Sequence, residues 1–135
     1  MKEERKYKTL VLGASTNPSR YSHIATLRLA KAGYEVIPLG RKEGRIGDIE
    51  IQTEQAPFEE VHTITMYLNP KNQKEMYTYI LSLNPKRIIF NPGSENVELA
   101  SMASEQGIEV LNACTLVLLS TGQYELGKEE MGVLH

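Results

Sequence analysis

The residues best suited to chemistry sit together at Gly13-Ala14-Ser15-Thr16-Asn17-Pro18. Glycine lets the backbone turn tightly or approach a ligand closely. Backbone N–H groups at the start of a following helix favour an anion, and Ser15 and Thr16 add hydroxyl donors. This pattern suits the holding of a phosphate or pyrophosphate and needs no arginine. It is not the GxGxxG fingerprint, and a capped turn without a ligand uses the same residue types.

A second group follows at Pro38-Leu39-Gly40-Arg41-Lys42. Sites for NAD carry an acid near this point, where it binds the adenosine ribose hydroxyls. Here two cations precede the first acid, Glu43. A carboxylate repels a ribose phosphate, whereas Arg41 and Lys42 attract one. The turn therefore disfavours NAD and favours a ligand with a phosphate on the adenosine ribose, either coenzyme A or NADP; a solvated charged turn is the plainer reading. Arg20 is a further candidate partner for phosphate.

Other reactive side chains are sparse. Cys114 is the one cysteine, so no intrachain disulfide forms, and its thiol could pair with a coenzyme thiol or be a small core residue. His23, His62 and His135 are scattered and show no metal-ligand spacing, so no metal site is expected. Ser15, Ser22 and Ser94 lack the GxSxG elbow, and no nucleophile-base-orienter set is visible. Binding therefore outranks catalysis.

These groups need elements to position them. Tyr7–Gly13, Tyr34–Leu39, His62–Tyr67, Arg87–Phe90 and Ile108–Leu111 read as strands, with Ile49–Gln52 as a short extra one. Pro38 suggests that the second frays or sits near an edge. Helices are expected over Ser22–Ala32, from an Asn69 cap to Leu83, and over Glu95–Gln106 with Ser94 as cap. Thr115–Ser120 reads as a last helix or as part of a homodimer face. This alternation predicts an α/β, Rossmann-like three-layer fold: a mainly parallel sheet of about five strands with helices on both faces. Ligands then bind at the carboxyl edge of the strands, here Gly13 to Tyr21, Leu39 to Lys42, Met66 to Asn69, Asn91 to Ser94 and Asn112 to Thr115.

The run VLGASTNPSRYSHIATLRLAKAGYEVIPLGRK, continued by GRIGDIEI, ITMYLNP and IIFNPGSENVELASMASEQGIEVLNACTLV, resembles the coenzyme A-binding protein family. These are small bacterial Rossmann-like proteins related to the coenzyme A-binding domain of succinyl-CoA synthetase alpha subunits. The resemblance spans Tyr7 to about Tyr124. It implies that Gly13, Ala14, Ser15 and Thr16 form the nucleotide-binding turn. It also implies that Asn17, Pro18, Tyr21 and Ser22 lead into the first helix beside it. Arg41 and Lys42 would then serve the adenosine end, Met66 and Tyr67 would flank the adenine, and Asn91, Pro92 and Gly93 would form the turn after the fourth major strand. Many members have Asn-Pro where this chain has Gly40-Arg41, and many flank the late cysteine with Arg and Pro where this chain has Ala113 and Thr115.

Composition narrows the function classes. The chain has 135 residues, 41% hydrophobic and 24% charged, with formal net charge −2. That fits one globular domain over 1–135, with a flexible N-terminus over 1–6. No global positive charge points to nucleic acid, and no apolar run is long enough to cross a bilayer. The start lacks the apolar stretch of a signal peptide, and a cytoplasmic protein is expected. Three functions remain: a coenzyme A or acyl-CoA binding or regulatory protein; an NADP-dependent oxidoreductase or a component of one; and a protein-interaction domain with a vestigial nucleotide site.

Overall fold

β1 (Arg5–Leu12) and β2 (Tyr34–Leu39) are joined by α1 (Tyr21–Lys31) in a parallel crossover unit. The computed structural model describes residues 5–126, with side chains from Tyr7 onward. A small antiparallel hairpin follows, β3 (Arg45–Ile46) and β4 (Ile49–Glu50). Then come β5 (Thr63–Met66), α2 (Pro70–Gln73), a 3-10 turn over Lys74–Met76, α3 (Tyr77–Ser82) and β6 (Arg87–Phe90). The described part closes with α4 (Val97–Glu105), β7 (Glu109–Asn112) and α5 (Thr115–Ser120).

The main sheet has five strands in the order β2-β1-β5-β6-β7, and every neighbouring pair is parallel. The chain winds outward from β1 to β2 and then returns across β1 to β5. The strand order therefore reverses between β1 and β5, which is where open α/β sheets leave a crevice. This is the Rossmann-like fold expected from the alternation of elements.

Side chains alternate across each strand, and two cores result. Leu10, Leu12, Ile64, Met66, Ile88 and Phe90 face α3 and α4 through Ile80, Leu99 and Ala103. Val11, Ile89 and Leu111 face the other way, toward Leu29 of α1 and Leu118 of α5. The strands read as near-continuous apolar runs because both faces are covered. Thr63, Thr65 and Arg87 are the buried polar exceptions in β5 and β6.

β2 is an edge strand, as Pro38 suggested. Past it, Gln52 forms a single parallel bridge to Leu39. Gln52 N–H donates to the Pro38 carbonyl at 2.8 Å, and Gly40 N–H donates to the Gln52 carbonyl at 2.9 Å.

Several expected boundaries moved. β1 starts at Arg5, so residues 5 and 6 belong to a strand, while residues 1–4 and His135 lie outside the described residues. Asn69 caps α2 as expected, its side chain accepting from Asn72 N–H at 2.9 Å. The single helix expected to Leu83 is instead broken into α2, the 3-10 turn and α3. The break follows the buried Gln73, whose Nε2 donates to the carbonyls of Leu68 and Ser94, both at 2.8 Å. Those bonds tie the helix start to two neighbouring loops. Ser94 is not the cap of α4. Its hydroxyl donates back to the Asn91 carbonyl at 2.7 Å, and Asn96 caps α4 by accepting from Leu99 N–H at 3.1 Å.

Candidate functional site

An open cleft of about 430 Å³ lies at the carboxyl edge of the sheet, where the strand order reverses. That volume is within the roughly 300–1,000 Å³ of small-molecule sites. Its lining comes from the loop after β1 (Gly13 to Thr16), the turn after β2 (Gly40 to Lys42), Leu68 after β5, and the α2 segment with its 3-10 turn (Asn72, Glu75, Met76). Thr53 and Gln55, beyond the hairpin, complete it.

The first two amides of the β1 loop are not available to a ligand. Gly13 N–H and Ala14 N–H both donate to the Leu39 carbonyl at 3.0 Å. Gly13 has φ +101, a left-handed conformation that favours glycine, and this turns the loop over the end of β2. Asn17 N–H is also engaged, donating to Ser15 Oγ at 3.1 Å. Ser15 N–H and Thr16 N–H have no hydrogen-bond partner among the described residues. Two adjacent unpartnered amides at a strand-to-helix turn are suited to an anion. His23, on the first turn of α1, supports the loop from behind: Nδ1 lies 2.9 Å from the Ser15 carbonyl and must carry the proton to bond it.

The β2 turn is locked to the same loop. A Cβ on Gly40 would lie 2.5 Å from the Ala14 carbonyl oxygen, and one on Gly44 would lie 2.4 Å from Thr16 Cγ2. Arg41 and Lys42 are exposed at the cleft. Arg41 forms an ion pair with Glu75 at 3.7 Å, across to the 3-10 turn. Both partners are largely exposed, so this contact is weak and easily exchanged for another anion.

Of the residues expected in the site, Gly13, Ala14, Ser15, Thr16, Gly40, Arg41 and Lys42 meet at this cleft. The others lie elsewhere. Asn17 and Arg20 are exposed in the β1–α1 connection, where Arg20 is the N-cap residue of α1. Tyr21 projects to solvent, whereas Ser22 is buried. Met66 does not flank the cleft: strand alternation turns it into the core between Leu12 and Phe90. Tyr67 points to the opposite face, with Val11 and Ile89. Burial raises the Tyr67 phenol to about 12. The Thr65 and Thr115 hydroxyls beside it pull the other way, yet Tyr67 Oη makes no hydrogen bond. Leu68 and Met76 supply the apolar surface of the cleft instead.

The turn after β6 is structural in this fold. Asn91 is buried and fully engaged: Nδ2 donates to Thr65 Oγ1 at 2.8 Å and to the Met66 carbonyl at 2.9 Å, while Oδ1 accepts from Thr115 N–H at 2.8 Å. It ties β5, β6 and the start of α5 together. Pro92 and Gly93 are exposed and do not line the cleft. Cys114 is half-buried at the N-cap of α5 and is not among the cleft residues.

Leu68 lies within the expected edge segment Met66 to Asn69, whereas Asn72, Glu75, Met76, Thr53 and Gln55 were missed in the sequence. The Asn69-Pro70 helix start, directly after a strand, carried a signal for Asn72, Glu75 and Met76: it places that helix's opening turns at the carboxyl edge. Thr53 and Gln55 lie in an irregular segment with no comparable signal. Among the described residues, no group of three or more His, Cys, Asp or Glu is placed to hold a metal ion, and no helix is long and apolar enough to cross a membrane.

A protein-family model described as the CoA binding domain matches residues 7–120. No curated protein sequence matches the chain. Among solved structures, the crystal structure of an uncharacterized protein is similar at 51% identity and TM-score 0.85, covering 87% of this chain and 97% of its own. A conserved hypothetical protein from Pyrococcus furiosus is 25% identical with TM-score 0.71, covering 82% and 97%. A hypothetical protein from Pyrococcus horikoshii OT3 shares the fold at 22% identity and TM-score 0.77, covering 87% and 84%.

Proposed function

Because the chain belongs to the CoA-binding domain family, we propose that it binds coenzyme A or an acyl-CoA in the cleft at the carboxyl edge of the sheet, in a binding or regulatory role. The pyrophosphate sits on the free N–H groups of Ser15 and Thr16, with the Thr16 hydroxyl beside them. Arg41 and Lys42 take the phosphate on the adenosine ribose, and Arg41 exchanges Glu75 for it. Leu68 and Met76 offer apolar surface to the adenine, in place of Met66 and Tyr67.

One observation carries this reading. Ser15 and Thr16, whose amides are unpartnered, and two adjacent cations line the same cavity, about 430 Å³ in volume, at the point where the strand order reverses. The amides suit a pyrophosphate, and the cations suit a second, separate phosphate. NAD lacks that second phosphate; coenzyme A and NADP carry it.

The test is a titration of coenzyme A, dephospho-coenzyme A, NADP and NAD, followed by calorimetry and by thermal stability. Coenzyme A should bind most tightly, and removing its ribose phosphate, which ends the contacts of both cations, should weaken binding by up to about a hundredfold. Tighter binding of NADP would replace this reading with that of a nicotinamide protein. No binding of any of the four at millimolar concentration would overturn it altogether.

A further inference from the structure

At the opposite, amino-terminal edge of the sheet the fold buries a guanidinium that forms no ion pair among the described residues. Arg87, the first residue of β6, is 3% exposed. Its Nε donates to Thr63 Oγ1 at 2.8 Å, and Nη1 makes a long bond of 3.4 Å to the Leu126 carbonyl. Among the described residues Nη2 is buried and has no partner. The guanidinium lies 4.6 Å from the centroid of the Tyr124 ring and 5.4 Å from that of Tyr7. Ring faces attract a cation, but they do not accept a strong hydrogen bond from each N–H. Buried charges are ordinarily paired, and an unpaired one is costly.

A pocket of about 110 Å³ opens beside this group, lined by Tyr7, His62, Lys86, Arg87, Glu109 and Glu125 among others. Among the described residues no ion pair joins Glu109 or Glu125 to Arg87. Glu125 accepts from the Tyr34 hydroxyl. The His62 ring stacks on Tyr7 with centroids 3.8 Å apart. Burial, then Arg87 and then Lys86 hold its titration near 4, with Glu125 opposing only weakly, so the ring is neutral at neutral pH. Arg87 and Lys86 carry the positive charge of the pocket, matched in formal number by Glu109 and Glu125 on its wall.

We propose that this pocket binds one carboxylate group of a small organic acid, with Arg87 as its buried anchor and Lys86 at its exposed rim. A planar carboxylate matches the guanidinium. A doubly charged phosphate is disfavoured, because Glu109 and Glu125 share the pocket wall. The small volume admits the head of such an acid and little more. The site is separate from the cleft, which lies at the other end of the strands, and it does not depend on the coenzyme reading.

The experiment is an acetate titration of the full-length, isotope-labelled protein at pH 7, with ionic strength held constant by chloride. The amide resonances of His62 and Arg87 are followed, with Ser15 and Thr16 as controls at the distant cleft. Saturable shifts at 62 and 87 in the millimolar range, without change at 15 and 16, are expected. Lys86→Gln should weaken that binding about three- to tenfold, and Arg87→Gln should abolish it. Lys86 is exposed, so its variant tests the site even if Arg87→Gln does not fold. Absence of saturation up to about 100 mM acetate, a weak affinity by any standard, would overturn the proposal. So would saturation of the same amides by inorganic phosphate in preference to acetate, or unchanged binding in Lys86→Gln.

Discussion

Gly40 and Ala14 touch where the β1 loop and the β2 turn meet: a Cβ on Gly40 would stand 2.5 Å from the Ala14 carbonyl oxygen. The clash is with backbone, which cannot swing aside like the end of a flexible side chain. Gly40→Ala should therefore separate the β1 loop from the β2 turn, at a stability loss of about 1–3 kcal/mol typical of overpacking. Urea denaturation measures that loss, and calorimetry should show weaker coenzyme A binding in the same variant. Wild-type stability and affinity would show that the turns are free to move apart.

Arg41→Gln and Lys42→Gln should each lower coenzyme A affinity by about tenfold, near 1.4 kcal/mol, in line with losing one charge-assisted hydrogen bond. Affinity for dephospho-coenzyme A should change little. The difference should shrink as salt rises, because both side chains are exposed. Equal losses for the two ligands would place the ribose phosphate elsewhere.

Asn91→Ala should act on folding, not on the ligand. It removes two donated bonds and one accepted bond from a residue only 2% exposed. A destabilisation of about 2–4 kcal/mol is expected, since buried partners are left unsatisfied. At temperatures where the variant stays folded, its coenzyme A affinity should match that of the wild type. A large affinity loss with intact stability would return Asn91 to the binding site.

His23→Ala should loosen the loop that carries the free amides. It deletes the bond from Nδ1 to the Ser15 carbonyl, worth about 0.5–1.5 kcal/mol. Coenzyme A affinity should fall by a few-fold, and amide exchange at Ser15 and Thr16 should speed up. Unchanged exchange at both positions would mean that the loop holds itself in place.

Stability should decline in mild acid through His62. Its titration falls from 6.5 to about 4 in the fold, chiefly through burial and then through Arg87 and Lys86. The unfolded chain therefore takes up a proton that the folded one refuses between those values. This contribution is intact above about pH 6.5, is lost as pH falls toward 4, and is then constant. The ring is partly exposed, so screening reduces the loss to about 1–2 kcal/mol. Urea melts of wild type and His62→Gln between pH 4 and 7 measure it. Parallel curves would remove His62 as the cause.

The apolar runs of β1, β5 and β6 made the sheet legible, because strands covered on both faces carry little polar interruption. Gly13 to Thr16 and Gly40 to Lys42 were legible as one end of the cleft for a similar reason: each follows a strand directly. What a strand end does not reveal is the side to which its last residues point. Met66 and Tyr67 follow β5 in sequence, yet the two-residue alternation sends one into each core and leaves Leu68 at the cleft. The break after Gln73 was hidden because its cause is tertiary, two carbonyls from separate loops converging on one amide. Arg87 was hidden differently. A cation opening a strand reads as a boundary charge, and only the packing of Tyr7 and Tyr124 around it shows otherwise.

Pro38 and Gln52 carry a consequence for how copies of this protein meet. An exposed edge strand offers unpaired donors and acceptors to any passing chain, and sheets can propagate that way. On β2, Pro38 has no N–H to offer, and the Gln52 segment already bonds on both sides of Leu39. This end of the edge is therefore shielded against templating by a stray strand.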